Sequence, residues 1–263
     1  MKVTLDGVEE TMLIPLLIKA DETKRPNPHI RDEKAVEMVS RIDYDFSKFK
    51  NRSMSHAGVV ARTVMIDRET RKFISSNPDA ICITVGCRLD ARFYRMDNGR
   101  IDWYDLDLSN VMDVRIQLLL EQGRVHRLAF SAFEEKWTAE VVVKGRPILI
   151  ILEGLLMYFT EEEVRQLFGI LKRNFPGGTV LAELMPAMLV NHGNQHETVK
   201  KTGANFRWGV KDASEVERFY KGIALIDEWS FNTEMKKYGL RFRLFGTLPM
   251  TKNFNNRLAV YRL

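Results

Sequence analysis

The chain of 263 residues carries 40 Lys and Arg against 35 Asp and Glu, a formal charge of +5, and 45% of it is hydrophobic. That share supports a packed core and excludes a disordered chain, while cations scattered among acids do not make the basic face of a nucleic-acid binder. Two cysteines, Cys82 and Cys87, form neither a disulfide framework nor a structural zinc set, which fits a reducing cytoplasm.

Met12-Leu13-Ile14-Pro15-Leu16-Leu17-Ile18 is apolar but falls short of the roughly 20 residues that a spanning helix needs. Glu9 and Glu10 precede it where an export signal carries cations, so neither a membrane segment nor a leader is expected. Pro26 and Pro28 mark a loop. Ala35, Met38, Val39 and Ile42 then recur at helical spacing, and 56–76 reads as a second helix. Pro78-Asp79 opens an apolar strand running from Ala80 to Val85. Beyond it the pattern predicts a strand at 101–107, a helix at 109–121, strands at 126–130 and 147–152, a helix at 161–173 and a strand at 179–184. Thr160 and Glu163 make the capping-box signature of the last helix, with Val164, Leu167, Phe168 and Leu171 as its apolar stripe.

Near-continuous apolar strands at 80–85, 148–152 and 179–182 need cover on both faces, the condition of a parallel sheet between helical layers. The expected fold class is therefore α/β, a doubly wound, mostly parallel sheet. No repeat or Gly/Ser linker divides the chain, so a single domain is expected: a helical cap over 1–77 and a binding core over 78–185. The polar stretch from about 187 to 220 reads as a helical lid inserted over 186–220. Extended runs at 222–230, 240–246 and 257–262 read as antiparallel strands closing the sheet within 221–263.

Acids stand at several strand ends: Asp90, Asp105, Asp107 and Glu153. A carboxylate that closes an apolar strand is costly to bury unpaired, so these acids predict a ligand groove along the carboxyl end of the sheet. Gly86 stands in the first strand-to-helix turn, where a glycine lets backbone approach a ligand, and an acid about 20 residues further on commonly accepts ribose hydroxyls. Asp107 fits that place; Asp105 lies on the same side of the strand and competes with it. Arg88 stands where a phosphate-cradling loop would have its second glycine. The expected cofactor is thus a nucleoside without phosphates, and a nicotinamide-dependent oxidoreductase is disfavoured. His192 and His196 have metal-like spacing but lack the intervening Glu and a third ligand, so no metal site is expected.

The stretch Thr84-Val85-Gly86-Cys87-Arg88-Leu89-Asp90-Ala91-Arg92-Phe93-Tyr94-Arg95, then Trp103-Tyr104-Asp105-Leu106-Asp107-Leu108, then Glu153-Gly154-Leu155-Leu156-Met157-Tyr158-Phe159, resembles the leucine carboxyl methyltransferase family. Within it the likeness is to the bacterial branch similar to polyketide-biosynthesis O-methyltransferases. Ala61-Arg62-Thr63 and Gly203-Ala204-Asn205-Phe206-Arg207-Trp208-Gly209 extend it over most of the chain. The resemblance implies a Rossmann-like sheet with an antiparallel final strand, S-adenosylmethionine as cofactor and methyl transfer to a carboxyl or hydroxyl oxygen of a small-molecule acceptor. By position, Arg62 would pair with the methionine carboxylate, Gly86 would admit the methionine moiety, and Asp107 would bind the ribose. Ala132 and Phe133 would contact adenine, and Glu153 would lie near the amino group and sulfonium.

The chain departs from this pattern at Arg88, where many relatives have glycine, at Ala91, where they have threonine, and at Glu134, where Asp is usual. Arg88 leaves open a degenerate fold kept as a binding module. A carboxylate acceptor is already nucleophilic at neutral pH and needs no catalytic base; Tyr158 and Arg207 are the candidates for positioning it. A hydroxyl acceptor would need a base, for which His126 and His192 are the titratable candidates.

Overall fold

The apolar run at 12–18 becomes a helix, α1 (Leu13–Thr23), most of whose side chains are buried. The computed structural model describes residues 10–49, 53–120, 123–190, 205–240, 242–243 and 254–263. Helix α2 (Glu33–Arg41) starts where Asp32 accepts a hydrogen bond from the Ala35 N–H at 2.9 Å, an N-cap that satisfies one of the donors a helix leaves over. The long α3 (Ser53–Ser76) follows. Leu13, Leu16 and Leu17 of α1 join Met38 of α2, Val60 of α3 and Val111 and Leu118 of α5 (Ser109–Leu118) in one apolar cluster. The amino-terminal helices are thereby packed onto the core.

Among the described residues seven strands form one sheet in the order β3-β2-β1-β4-β5-β7-β6. β1 (Ile81–Val85) pairs in parallel with β2 (Asp102–Asp107) and β4 (Ile148–Leu152); β2 pairs with β3 (Val125–Ala129), and β4 with β5 (Thr179–Leu184). β7 (Arg257–Arg262) runs antiparallel between β5 and β6 (Ala224–Ser230). Side chains alternate across the sheet as a period of two requires. Ile81, Ile83, Ile150 and Val180 face Leu167, Phe168 and Leu171 of α6 (Glu161–Asn174). Cys82, Leu149, Ile151 and Leu181 face Ala61, Met65 and Ile66 of α3 and Phe93 of α4 (Arg92–Met96). Both faces are covered, which explains the unbroken apolar strands.

Chain order reverses between β1 and β4, and ligands of open α/β sheets bind at such a switch, beyond the strands' carboxyl ends. The helix expected at 109–121 stops at Leu118, and the capping box of α6 is present. Two expectations for the carboxyl-terminal part need correction. Of the run 240–246, residues 240, 242 and 243 are helical, with the Arg243 N–H donating to Gly239 O at 3.0 Å, the i→i−4 bond of a helix; 241 and 244–246 lie outside the described residues. In the stretch 187–220, residues 191–204 lie outside the described residues, and regular α-helix is absent from the described remainder. A 3-10 turn covers 187–190, a bridge joins Val210 to Pro186, and a short 3-10 helix spans Ala213–Arg218. Backbone approach drives this: a Cβ on Gly209 would meet Met185 O at 2.8 Å.

Candidate active site

β1 ends at Val85 and the chain turns at Gly86, whose φ of +70° lies in the left-handed region and whose Cβ would fall 2.8 Å from Leu155 Cδ1. The N–H groups of Gly86 and Cys87 both donate to Leu106 O, at 2.8 and 3.1 Å, tying the turn to β2. Next, the Arg88 N–H donates to Asp107 Oδ2 at 2.7 Å and the Leu108 N–H to Oδ1 at 2.9 Å. Asp107 is thus fixed at the turn with lone pairs left for hydroxyl donors. Burial pushes its carboxyl above the usual value, against the pull of those two backbone donors.

Asp105 is engaged elsewhere. The buried Arg115 donates to its Oδ2 at 2.6 Å and Trp103 Nε1 to its Oδ1 at 3.1 Å. Arg115 also donates to the carbonyls of Arg88 and Asp90, at 3.0 and 2.7 Å, so Asp105 acts through Arg115 to brace the loop after β1.

Glu153, one residue past β4, accepts from Arg92 Nη2 at 2.6 Å and lies 2.9 Å from Arg62 Nε. The ion pairs continue from there. Arg92 reaches Asp67 and Asp90; Arg95 reaches Asp32, Asp67 and Asp90; Lys19 reaches Asp90 at 2.7 Å. Arg62 Nη1 donates at 3.1 Å to Glu183 at the end of β5, and the Gly154 N–H donates to the same oxygen at 2.7 Å. Four buried cations therefore meet five buried carboxylates, none of them more than 13% exposed, and the exposed Arg71 adds a fifth cation 3.8 Å from Asp67. Burial opposes ionisation, yet the guanidiniums of Arg92 and Arg62 hold Glu153 below the usual carboxylate value, and Arg92, Lys19 and Arg95 hold Asp90 well below it. With Arg71 counted the charges of the cluster balance, and the cleft beside it sets carboxylates and guanidiniums side by side, which suits a ligand carrying both signs of charge. Arg62 Nε is buried and, although 2.9 Å from Glu153, has no aligned hydrogen bond.

The cleft beside this cluster is lined by Lys19, Arg62, Gly86, Arg88, Asp90 and Glu153, with Met12, Pro15 and Leu16 forming its α1 wall. Arg88 turns inward: its guanidinium carbon lies 5.4 Å from the centroid of the Tyr158 ring, and the free space left is about 30 Å³. Arg62, Gly86 and Glu153, expected together from the sequence, do line one cleft, with Asp107 hydrogen-bonded to its Arg88 wall. Ala132 and Phe133 follow β3 at the same end of the sheet, half-buried, and Phe133 packs on Phe159 at 4.8 Å. Tyr158 contacts Phe206 at 5.7 Å.

Arg207 is not in this lining. It is half exposed, and its Nη1 lies 3.4 Å from Glu163, while its backbone N–H donates to Met157 O at 2.7 Å. His126 stands at the opposite, amino-terminal end of β3, stacked on Tyr104 and 3.4 Å from Asp102, which removes it as a base for this cleft. His192 and His196 lie outside the described residues. Among the described residues no group of three or more His, Cys, Asp or Glu is placed to hold a metal, and no helix is long and apolar enough to cross a membrane. Sequence reasoning missed Lys19, Asp32, Asp67, Arg92, Arg95 and Glu183. Glu183 alone carried a signal, an acid within the apolar run of β5.

The model of the leucine carboxyl methyltransferase family matches residues 13–172. Tetracenomycin polyketide synthesis O-methyltransferase TcmP of Streptomyces glaucescens is 29% identical over 229 residues, which is 87% of this chain and 84% of that protein. The S-adenosyl-L-methionine-dependent methyltransferase dpfgK of Gibberella zeae is 29% identical over 245 residues, 84% and 82% of the two chains. A crystal structure of a protein from Thermobifida fusca has a similar fold, with a TM-score of 0.63 at 12% identity over 98% of this chain and 94% of its own. The family match spans Pro15 and Leu16 of the α1 wall, the glycine turn, Asp107 and Glu153, and on it this chain belongs to the leucine carboxyl methyltransferase family.

Proposed function

We propose that this protein is an S-adenosylmethionine-dependent O-methyltransferase acting on a carboxyl or hydroxyl oxygen of a small molecule. The observation that carries the reading is the buried cluster at the carboxyl ends of β1, β4 and β5, which sets the carboxylates of Asp90 and Glu153 beside the guanidinium of Arg62 in one cleft. S-adenosylmethionine has a sulfonium, an ammonium and a carboxylate, and the cleft lining holds acids for the first two and a guanidinium for the third. The unaligned Nε of Arg62 is a donor suited to a ligand carboxylate, Glu153 and Asp90 suit the ammonium, and Asp107 suits the ribose hydroxyls. Phe133, packed on Phe159, offers an apolar surface for adenine.

When bound, that cofactor supplies a methyl group activated by positive sulfur. The chain's own work is alignment and exclusion of water. Holding two reactants in line is worth as much as roughly 7–11 kcal/mol. A carboxylate acceptor needs no proton removed, so the described lining of the cleft supplies what such an acceptor requires. The segment 186–220 is the proposed lid: its described part docks on the loop after β4 through Arg207 and Phe206. The name of one relative, which mentions O-methyl transfer and polyketide synthesis, supports the acceptor class, and the expected setting is cytoplasmic.

Arg88 in the cleft favours a second reading, a fold of this family that binds without catalysing. Incubation with S-adenosylmethionine and panels of small aromatic acids and phenols tests the first reading. Release of S-adenosylhomocysteine together with a methyl ester or methyl ether supports it; tight cofactor binding with no transfer to any acceptor supports the second.

A further inference from the structure

Arg88 is held at φ +49°, a left-handed conformation that glycine adopts freely and other residues resist. Its N–H is committed to Asp107 and its carbonyl to Arg115, so the backbone fixes where the side chain begins. The guanidinium then runs over the Tyr158 ring, and its Nη1 lies 3.8 Å from where a Cβ on Gly154 would sit. Arg62, Arg92, Arg95 and Arg115 each have a carboxylate within ion-pair distance. Arg88 has none there among the described residues; Asp107, which feels its charge, takes the backbone N–H instead. A guanidinium facing a methyl-transfer cleft without a carboxylate is a site for an anion that the chain does not provide.

We infer that Arg88 anchors the methyl acceptor through an anionic group on that molecule, a carboxylate or its equivalent. The inference rests on the methyltransferase reading above. The planar fork of a guanidinium matches a carboxylate with paired, charge-assisted hydrogen bonds, and a ring stacked on one face leaves the donating edge free. Arg88 lies over the Tyr158 ring with its Nη1 beside Gly154. An oxygen held in charge-assisted hydrogen bonds is a poor nucleophile. The anion on Arg88 is therefore not the oxygen methylated, and the acceptor class is a molecule with an anionic group in addition to its methylated oxygen. Arg207, the other cation considered for this role, is occupied by Glu163.

The test uses wild type, Arg88→Gln and Arg88→Lys, each saturated with S-adenosylhomocysteine and titrated calorimetrically with 2-naphthoate and with its neutral analogue 2-naphthamide. Wild type is expected to bind naphthoate about tenfold tighter than naphthamide, with the preference lost in Arg88→Gln and partly kept in Arg88→Lys. Equal binding of both probes by wild type, no binding of naphthoate, or an unchanged preference in both variants overturns the assignment. Failure of S-adenosylhomocysteine to bind wild type is a separate result: it overturns the methyltransferase reading, and the acceptor role of Arg88 with it.

Discussion

Glu153 and Arg92 meet at 2.6 Å although one closes β4 and the other opens the helix after β1. Their pairing is what makes an acid at the end of a fully apolar strand tolerable. Replacing Glu153 by Gln leaves Arg92 and Arg62 short of a counter-charge in a buried site. Breaking one partner of a buried pair costs about 3–5 kcal/mol, so a clear fall in melting temperature is expected. Affinity for S-adenosylhomocysteine should drop more than about tenfold, since about 1.4 kcal/mol of lost interaction suffices for that. Calorimetric titration and a thermal melt check both; unchanged affinity removes Glu153 from the site.

Asp107 should behave differently, because among the described residues it takes part in no ion pair and its partners are two backbone N–H groups. Asp107→Ala is expected to weaken S-adenosylhomocysteine binding by more than about tenfold while shifting stability by about 1–3 kcal/mol, the cost of two unsatisfied donors. Burial raises the Asp107 pKa, so its carboxylate protonates at a higher pH than an exposed Asp does. Cofactor affinity should then fall on acidification before the protein unfolds. A titration series between pH 7 and 4 reads this, and flat affinity across the range contradicts it.

The sign is opposite for the ion-pair cluster. Asp67, Asp90 and Glu153 have lowered pKa values, with burial outweighed by Arg92, Arg95, Arg62 and Lys19. A depressed carboxylate contributes stability that is present above its unfolded pKa, about 4, and lost as the pH falls through the native value. Wild type should therefore hold its melting temperature down to about pH 5 and lose it steeply below about pH 4. In Asp67→Asn the melting temperature at pH 7 should be lower and the acid slope shallower; identical slopes in the two proteins contradict the assignment.

Arg88→Gly restores a residue at ease with φ +49° and clears the side chain from the cleft. A left-handed conformation costs a non-glycine residue roughly 1–2 kcal/mol, partly offset by the greater unfolded-state entropy of glycine. Stability should stay level or rise slightly, and affinity for S-adenosylhomocysteine should increase. Weaker binding in this variant would mean that Arg88 holds the cofactor instead of narrowing its cleft.

Legibility in the sequence follows the range of the interaction. Strands and the α6 helix were readable because alternation and capping are local, and both layers of helix followed from strands apolar on two sides. Gly86, Asp107 and Glu153 were readable because strand ends are local too. Which of Asp105 and Asp107 serves a ligand was not, since the choice lies with Arg115, whose reach to Asp105 depends on how α5 packs on the sheet. The cluster joins Asp32, Asp67 and Arg92 across α2, α3 and α4, and nothing local announces a pairing over such separations. The polar 187–220 segment reads as helical, but in its described part contact of Gly209 with Met185 favours extended backbone.

Titration of the purified protein with S-adenosylmethionine and S-adenosylhomocysteine, with NADH as control, tests the central claim most directly. Micromolar binding of the first two, with no heat from NADH, is the expected result, and Glu153→Gln should weaken both. Absence of binding by either sulfur nucleoside, or equal binding of NADH, contradicts a methyl-donor site at the Arg62–Glu153 cluster.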